Sequence, residues 1–155
     1  MSPTSVVVIG VGNEYRRDDG VGPAVLAELG KHRLGDVRLA LSDGEPTQLL
    51  DLWERARLAV VIDAVLCAPS RPGRIHRTTL QSPLTATAAT THGLGIPEAV
   101  RLAEALDRAP ERLIVYAVEA ADIGFGVGLS DEVARAVPEV VRAVVAETNS
   151  RSGKD

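Results

Sequence analysis

Short β-branched apolar runs alternate along this chain with stretches in which apolar residues recur at helical spacing. That alternation is the pattern of a sheet covered by helices on both faces. The apolar runs predict strands over residues 6–11, 37–41, 59–65, 74–79 and 113–118. Helices are expected over 20–31, with Pro23 tolerated in the opening turn, and over 46–55. A third is expected over 96–106, where Ile96, Ala99, Val100, Ala103 and Leu106 share one face. The last starts from an N-cap at Ser130 and runs toward Glu147, with a kink at Pro138.

Only the segment 67–73 separates the third strand from the fourth, too little chain for a parallel crossover. The fourth strand is therefore expected to run antiparallel, and its weak alternation suits an edge position. The reading is an α/β three-layer sandwich: a five-stranded, mixed, mainly parallel sheet with one antiparallel edge strand and helices on both faces. Residues 1–148 are read as one domain. Two stretches depart from the pattern, the small, polar segment 82–91, expected to be a loop, and a tail at 149–155 with nothing to bury.

With 155 residues, 45% hydrophobic and 25% charged, the chain has enough apolar material for one core. A net charge of -4 with scattered arginines argues against a nucleic-acid partner. The longest apolar runs are far short of a membrane span, and the start of the chain lacks the basic character of a secretory signal. A single cysteine, Cys67, excludes an internal disulfide and fits a reducing compartment, so a cytoplasmic protein is expected.

The parallel strands share one carboxyl edge, where ligands bind in such folds, and acid gathers there. Asp18 and Asp19 follow the first strand, Asp43 and Gly44 the second, Asp63 closes the third and Glu119 follows the fifth. Crowded carboxylates repel one another and lose hydration, so the cluster calls for a cation or hydrogen-bond donors. Asp63 stands out because it interrupts a run suited to a central strand. An aspartate before a helix is as often a cap as a ligand, and Asp43-Gly44 reads as a turn. His92, in the glycine-rich stretch 90–95, is the natural neutral ligand to join the acids, whereas His32 and His76 read as surface or capping residues.

Gly10-Val-Gly12 opens like a dinucleotide fingerprint, but Tyr15 occupies the third glycine position and no Walker lysine follows. Nor does the sequence contain a His-Glu-x-x-His helix, a Gly-x-Ser-x-Gly elbow or a Cys-x-x-Cys pair. Cys67 at the end of an apolar strand reads first as a small buried hydrophobe.

Gly10-Val-Gly-Asn13 with Asp18-Asp-Gly-Val-Gly22, then Asp43-Gly44, Ile62-Asp-Ala-Val65, Thr91-His-Gly-Leu-Gly95 and Gly126-Val-Gly-Leu-Ser130 form an ordered series of motifs. In that order and spacing the chain resembles the hydrogenase maturation endopeptidases of nickel–iron hydrogenases, a metallopeptidase family with a phosphorylase/hydrolase-like fold. The resemblance implies that Asp19, Asp63 and His92 contact nickel and carry the cleavage, although the family often has glutamate where Asp19 stands. It implies removal of a C-terminal extension from the precursor of the hydrogenase large subunit once nickel is inserted, with the metal carried by that partner. Two carboxylates and an imidazole would also accept zinc or manganese. Either aspartate could act as general base.

These readings lead to a cytoplasmic, monomeric endopeptidase that reads nickel in its substrate. One alternative is a non-catalytic, nickel-dependent assembly chaperone that docks on the same partner without cutting it. Another is a thiol hydrolase built on Cys67 and His92.

Overall fold

Each apolar run of the sequence becomes a strand, and their order in space brings the acid-bearing ends to one rim. The computed structural model describes residues 6–79, 89–90 and 95–154. The strands are β1 (Val6–Val11), β2 (Val37–Ser42), β3 (Leu58–Leu66), β4 (Ile75–Thr79), β5 (Ala89–Thr90) and β6 (Arg112–Glu119). The helices are α1 (Val21–Leu29), α2 (Pro46–Trp53), α3 (Gly95–Ala105) and α4 (Asp131–Lys154), with a 3-10 turn at Arg17–Gly20 ahead of α1.

The main sheet has the order β2-β1-β3-β6-β4. β2, β1, β3 and β6 run parallel, and β4 lies antiparallel to β6 at the edge. Alternation along the central strands sends Val8, Val60, Ile62, Ile114 and Val118 to one face, against α1 and α4. Val7, Ile9, Val61 and Val115 go to the other, against α2 and α3, where Trp53 is fully buried. The mixed, mainly parallel α/β sheet expected from the sequence is the one observed.

Several boundaries differ for local reasons. The first helix begins with the 3-10 turn and ends at Leu29, where bonds from Lys31 N to Glu28 O and His32 N to Leu29 O tighten the last turn. α2 starts where the Glu45 carboxylate accepts the Gln48 N–H at 2.9 Å, with Pro46 in the first turn. It stops at Trp53 because Arg55 takes a left-handed φ of 65°. α4 continues to Lys154 rather than ending near Glu147, so helix occupies most of what was read as a tail. Once nucleated over the buried residues before it, a helix extends by one bond per residue at small cost. The segment 82–91 is not loop throughout, because Ala89–Thr90 pairs antiparallel with Leu66 and Val65. The rest of that segment lies outside the described residues.

β4 is antiparallel and at the edge as expected, yet its neighbour is β6 and not the preceding strand β3. The connection after β3 therefore crosses the carboxyl end of β6. Backbone bonds from Gly73 N to Glu119 O (2.8 Å), Glu119 N to Arg74 O (2.9 Å) and Ala120 N to Val65 O (2.9 Å) fasten it there.

Candidate active site

β1 delivers the chain to the rim at Gly12, whose N–H still bonds Ser42 O at 3.0 Å. Gly12 has φ 139°, and a Cβ there would collide with the backbone carbonyl of Asp19. The loop thus folds tightly back on the 3-10 turn. Asp19 is fully buried; its Oδ2 accepts the Asn13 N–H at 2.9 Å and stands 3.6 Å from the Arg16 guanidinium. Gly22 lets α1 start in contact with two strands at once, since a Cβ would lie 2.6 Å from Val11 O and 2.8 Å from Ile62 O. The turn carrying Asp19 is thereby held close to β3 at Ile62.

Asp63 is next to Ile62 on β3, fully buried, with Oδ1 accepting its neighbour Ala64's N–H at 2.8 Å. β1 and β3 are adjacent and parallel, with Gly10 opposite Ile62. Asp19 therefore lies in the turn that follows β1, and Asp63 lies within β3, one residue past its last pairing with β1 and three before the strand ends at Leu66. His92, the third candidate, lies outside the described residues.

Asp18 differs from its neighbour. Its carboxylate is also fully buried, but it accepts the N–H groups of Ala121 (2.8 Å), Asp122 (3.1 Å) and Ser130 (2.7 Å) and the Ser130 hydroxyl (3.0 Å). Four donors satisfy it, so Asp18 fastens the loop after β6 instead of facing a cation. Ser130 does stand just before α4, its carbonyl accepting the Ala134 N–H, but its hydroxyl serves Asp18 and not the helix. Beside this clamp, a bridge between Arg16 and Gly126 ties the two loops together, and Tyr15, Phe125 and Val127 on them are exposed.

The other rim residues divide. Asp43 is exposed and accepts the Glu45 N–H at 3.0 Å, the turn expected of it. His32 is exposed, as read. His76 is not a plain surface residue: its Nε2 lies 2.6 Å from Oε2 of Glu119, a buried carboxylate whose Oε1 accepts the Arg71 N–H at 2.7 Å. Burial alone would raise the Glu119 pKa, but the Arg71 N–H, His76 and Arg74 outweigh it and hold the group below the usual carboxylate range. Cys67 is beside them. Burial, and then the Glu119 charge, push its thiol above the ordinary value, the opposite of what a thiolate nucleophile needs. Sequence reasoning missed this grouping because His76 and Glu119 are 43 residues apart and meet only through the pairing of β4 with β6.

In an open, mainly parallel α/β sheet, ligands bind at the carboxyl edge of the strands, the side on which these acids lie. The sequence model of one family, hydrogenase maturation protease, matches residues 29–147, a span that includes Asp63 and His92 and begins after Asp19. The chain belongs to the hydrogenase maturation protease family. Among solved structures, it is similar to the hydrogenase maturating endopeptidase HybD from Escherichia coli, with a TM-score of 0.81 and 16% identity over 95% of this chain and 93% of that one. It is likewise similar to the [NiFe] hydrogenase maturation protease HybD from Thermococcus kodakarensis, with a TM-score of 0.73 and 26% identity over 93% and 99%. The maturation protease HycI from the same archaeon gives a TM-score of 0.69 and 18% identity over 94% and 93%. No curated protein sequence matches the chain. Among the described residues, no helix is long and apolar enough to cross a membrane.

Proposed function

We propose that this hydrogenase maturation protease reads the nickel of its substrate with Asp19, Asp63 and His92, and cuts the C-terminal extension of the large-subunit precursor beside that metal. The observation that carries the reading is the full burial of Asp19, in the turn after β1, and of Asp63, on the adjacent strand β3 just past its pairing with β1. Carboxylates are among the donors that divalent metal ions accept. Two of them opening on one rim suit a cation delivered by a partner.

His92 is included on the strength of the family motif Thr91-His-Gly-Leu-Gly95. β5 is antiparallel to β3 with Thr90 opposite Val65, two residues beyond Asp63 on β3. Residue 92 follows Thr90 by two positions.

Two carboxylates and one imidazole form an incomplete shell that leaves positions for ligands of the substrate. Nickel, with zinc or manganese as substitutes in vitro, would polarise the scissile carbonyl or acidify an attacking water. Either aspartate would take the proton from that water with the carboxylate oxygen that does not hold the metal. The exposed Tyr15, Phe125 and Val127 offer apolar contact for the body of the precursor. The protein works in the cytoplasm as a monomer, engaging one precursor at a time.

The test is the intact mass of a nickel-loaded large-subunit precursor after incubation with the protein. Loss of the C-terminal peptide with wild type and none with Asp63→Asn supports the reading. Unchanged mass with wild type favours a non-catalytic chaperone, and full processing by Asp63→Asn refutes the site.

A further inference from the structure

The grouping around Glu119 has no part in the proposed cleavage, yet it has the make-up of a ligand set. One donor atom each from Cys67, His76 and Glu119 lies within 4.8 Å of the other two. The three come from separate places: Cys67 just past β3, His76 on β4 and Glu119 at the end of β6. They converge because the connection after β3 passes over the end of β6. The register does the rest, with Val65 opposite Glu119 and His76 opposite Ala117, the small residue two places before it. We propose that Cys67 Sγ, His76 Nε2 and Glu119 Oε2 form a second cation site, separate from Asp19 and Asp63, for a zinc-type divalent ion.

Thiolate, imidazole and carboxylate are the three donor types that zinc accepts, at about 2.3 Å for sulfur and about 2.0–2.2 Å for nitrogen and oxygen. Donors on one tetrahedral ion then stand about 3.5 Å apart. The 2.6 Å contact between His76 and Glu119 has to open by roughly 1 Å to meet that spacing. The His76 side chain is 35% exposed and can make that movement, while Glu119 is 4% exposed and stays in place. The site also has a supporting contact, since Glu119 keeps Oε1 on the Arg71 N–H and turns Oε2 toward the ion. Three protein donors leave a fourth position for water or an external ligand. The exposed His76 side is the way in.

Cobalt(II) titration of the whole chain tests this, because a cysteine thiolate on cobalt gives a near-ultraviolet charge-transfer band that carboxylates and imidazole do not. The expected result is a saturable band, lost in Cys67→Ser, and at least tenfold weaker binding in Glu119→Gln and His76→Asn. Far-ultraviolet circular dichroism of each variant establishes that it is folded, and Cys67→Ser and Glu119→Gln are close enough in shape to keep the test informative if His76→Asn is not. Asp63→Asn, which removes a donor of the proposed nickel-reading site, keeps the band. No band in wild type overturns the proposal. So does a band that survives undiminished in Glu119→Gln, which would mean a lone thiolate, or one abolished by Asp63→Asn, which would mean a single shared site.

Discussion

The carboxylate of Asp18 receives both the backbone N–H and the hydroxyl of Ser130, at 2.7 and 3.0 Å, across 112 residues of chain. The contact joins the turn after β1 to the start of α4. It also separates two adjacent aspartates by task, because the side chain next to Asp18 stands among Asn13 and Arg16 instead.

Asp18→Ala is therefore expected to lower stability by about 2–3 kcal/mol, since it removes a buried carboxylate that accepts three part-buried N–H groups and a hydroxyl. Ser130→Ala removes only the hydroxyl bond and should cost about 1 kcal/mol. Urea unfolding followed by circular dichroism measures both. Equal and small effects would show that the clamp holds little.

Asp63→Asn changes one atom of a buried side chain. We expect it to cut precursor processing by at least about 100-fold, the scale of a lost general base or metal ligand, while the protein still unfolds in one cooperative transition. Single-turnover processing of nickel-loaded precursor, read by mass, gives the rate.

Gly12→Ala places a Cβ against the Asp19 carbonyl at a φ of 139°. The backbone must move, so a loss of more than about 2 kcal/mol is expected, together with loss of processing. Gly35 provides the control. Its φ of 70° is also left-handed, but nothing lies within 4 Å of the added carbon, and Gly35→Ala should cost only about 1 kcal/mol and leave processing intact. Thermal melts and the processing assay together distinguish strain at the site from strain elsewhere.

Acid should weaken the contact between α4 and the edge of the sheet. Glu147 Oε2 accepts from Tyr116 Oη at 2.6 Å and from Arg77 Nε at 2.8 Å. Burial raises the Glu147 pKa, but these two donors outweigh it and leave it below the ordinary value of 4.5. The same burial, then the Glu147 hydrogen bond and charge, push Tyr116 up to about 12. A carboxylate depressed in the folded state contributes stability that is present above its unfolded pKa and is lost as pH falls through the folded one. Stability should thus drop below about pH 4.5, and Glu147→Gln should flatten that part of the profile while costing about 1–2 kcal/mol at neutral pH. Urea midpoints from pH 7 to pH 3 check this. Parallel profiles for the two proteins would contradict it.

Much of this architecture is legible in the chain because it rests on local pattern. β1 matches its apolar run residue for residue, and β3, β6 and the helices differ from expectation only at their ends. Asp63 is conspicuous because a carboxylate in a central strand has no cheap explanation. What stays hidden depends on partners far along the chain. Nothing in the pair Asp18-Asp19 says which one meets Ser130, and nothing in the weak alternation of β4 says that it lies beside β6 instead of β3. His76 reads as a surface residue for the same reason, since its carboxylate partner arrives from another strand. Two-residue pairing such as β5 on β3 has too little periodicity to be seen in sequence at all.

The central claim is that Asp19, Asp63 and His92 ligate one metal ion. A crystal of the protein with nickel, examined at the nickel absorption edge, tests it most directly. The account predicts an anomalous peak about 2.0–2.2 Å from a carboxylate oxygen of each aspartate and from a ring nitrogen of His92. A peak at the carboxyl rim that excludes His92, or no peak between the two aspartates at saturating nickel, would contradict it.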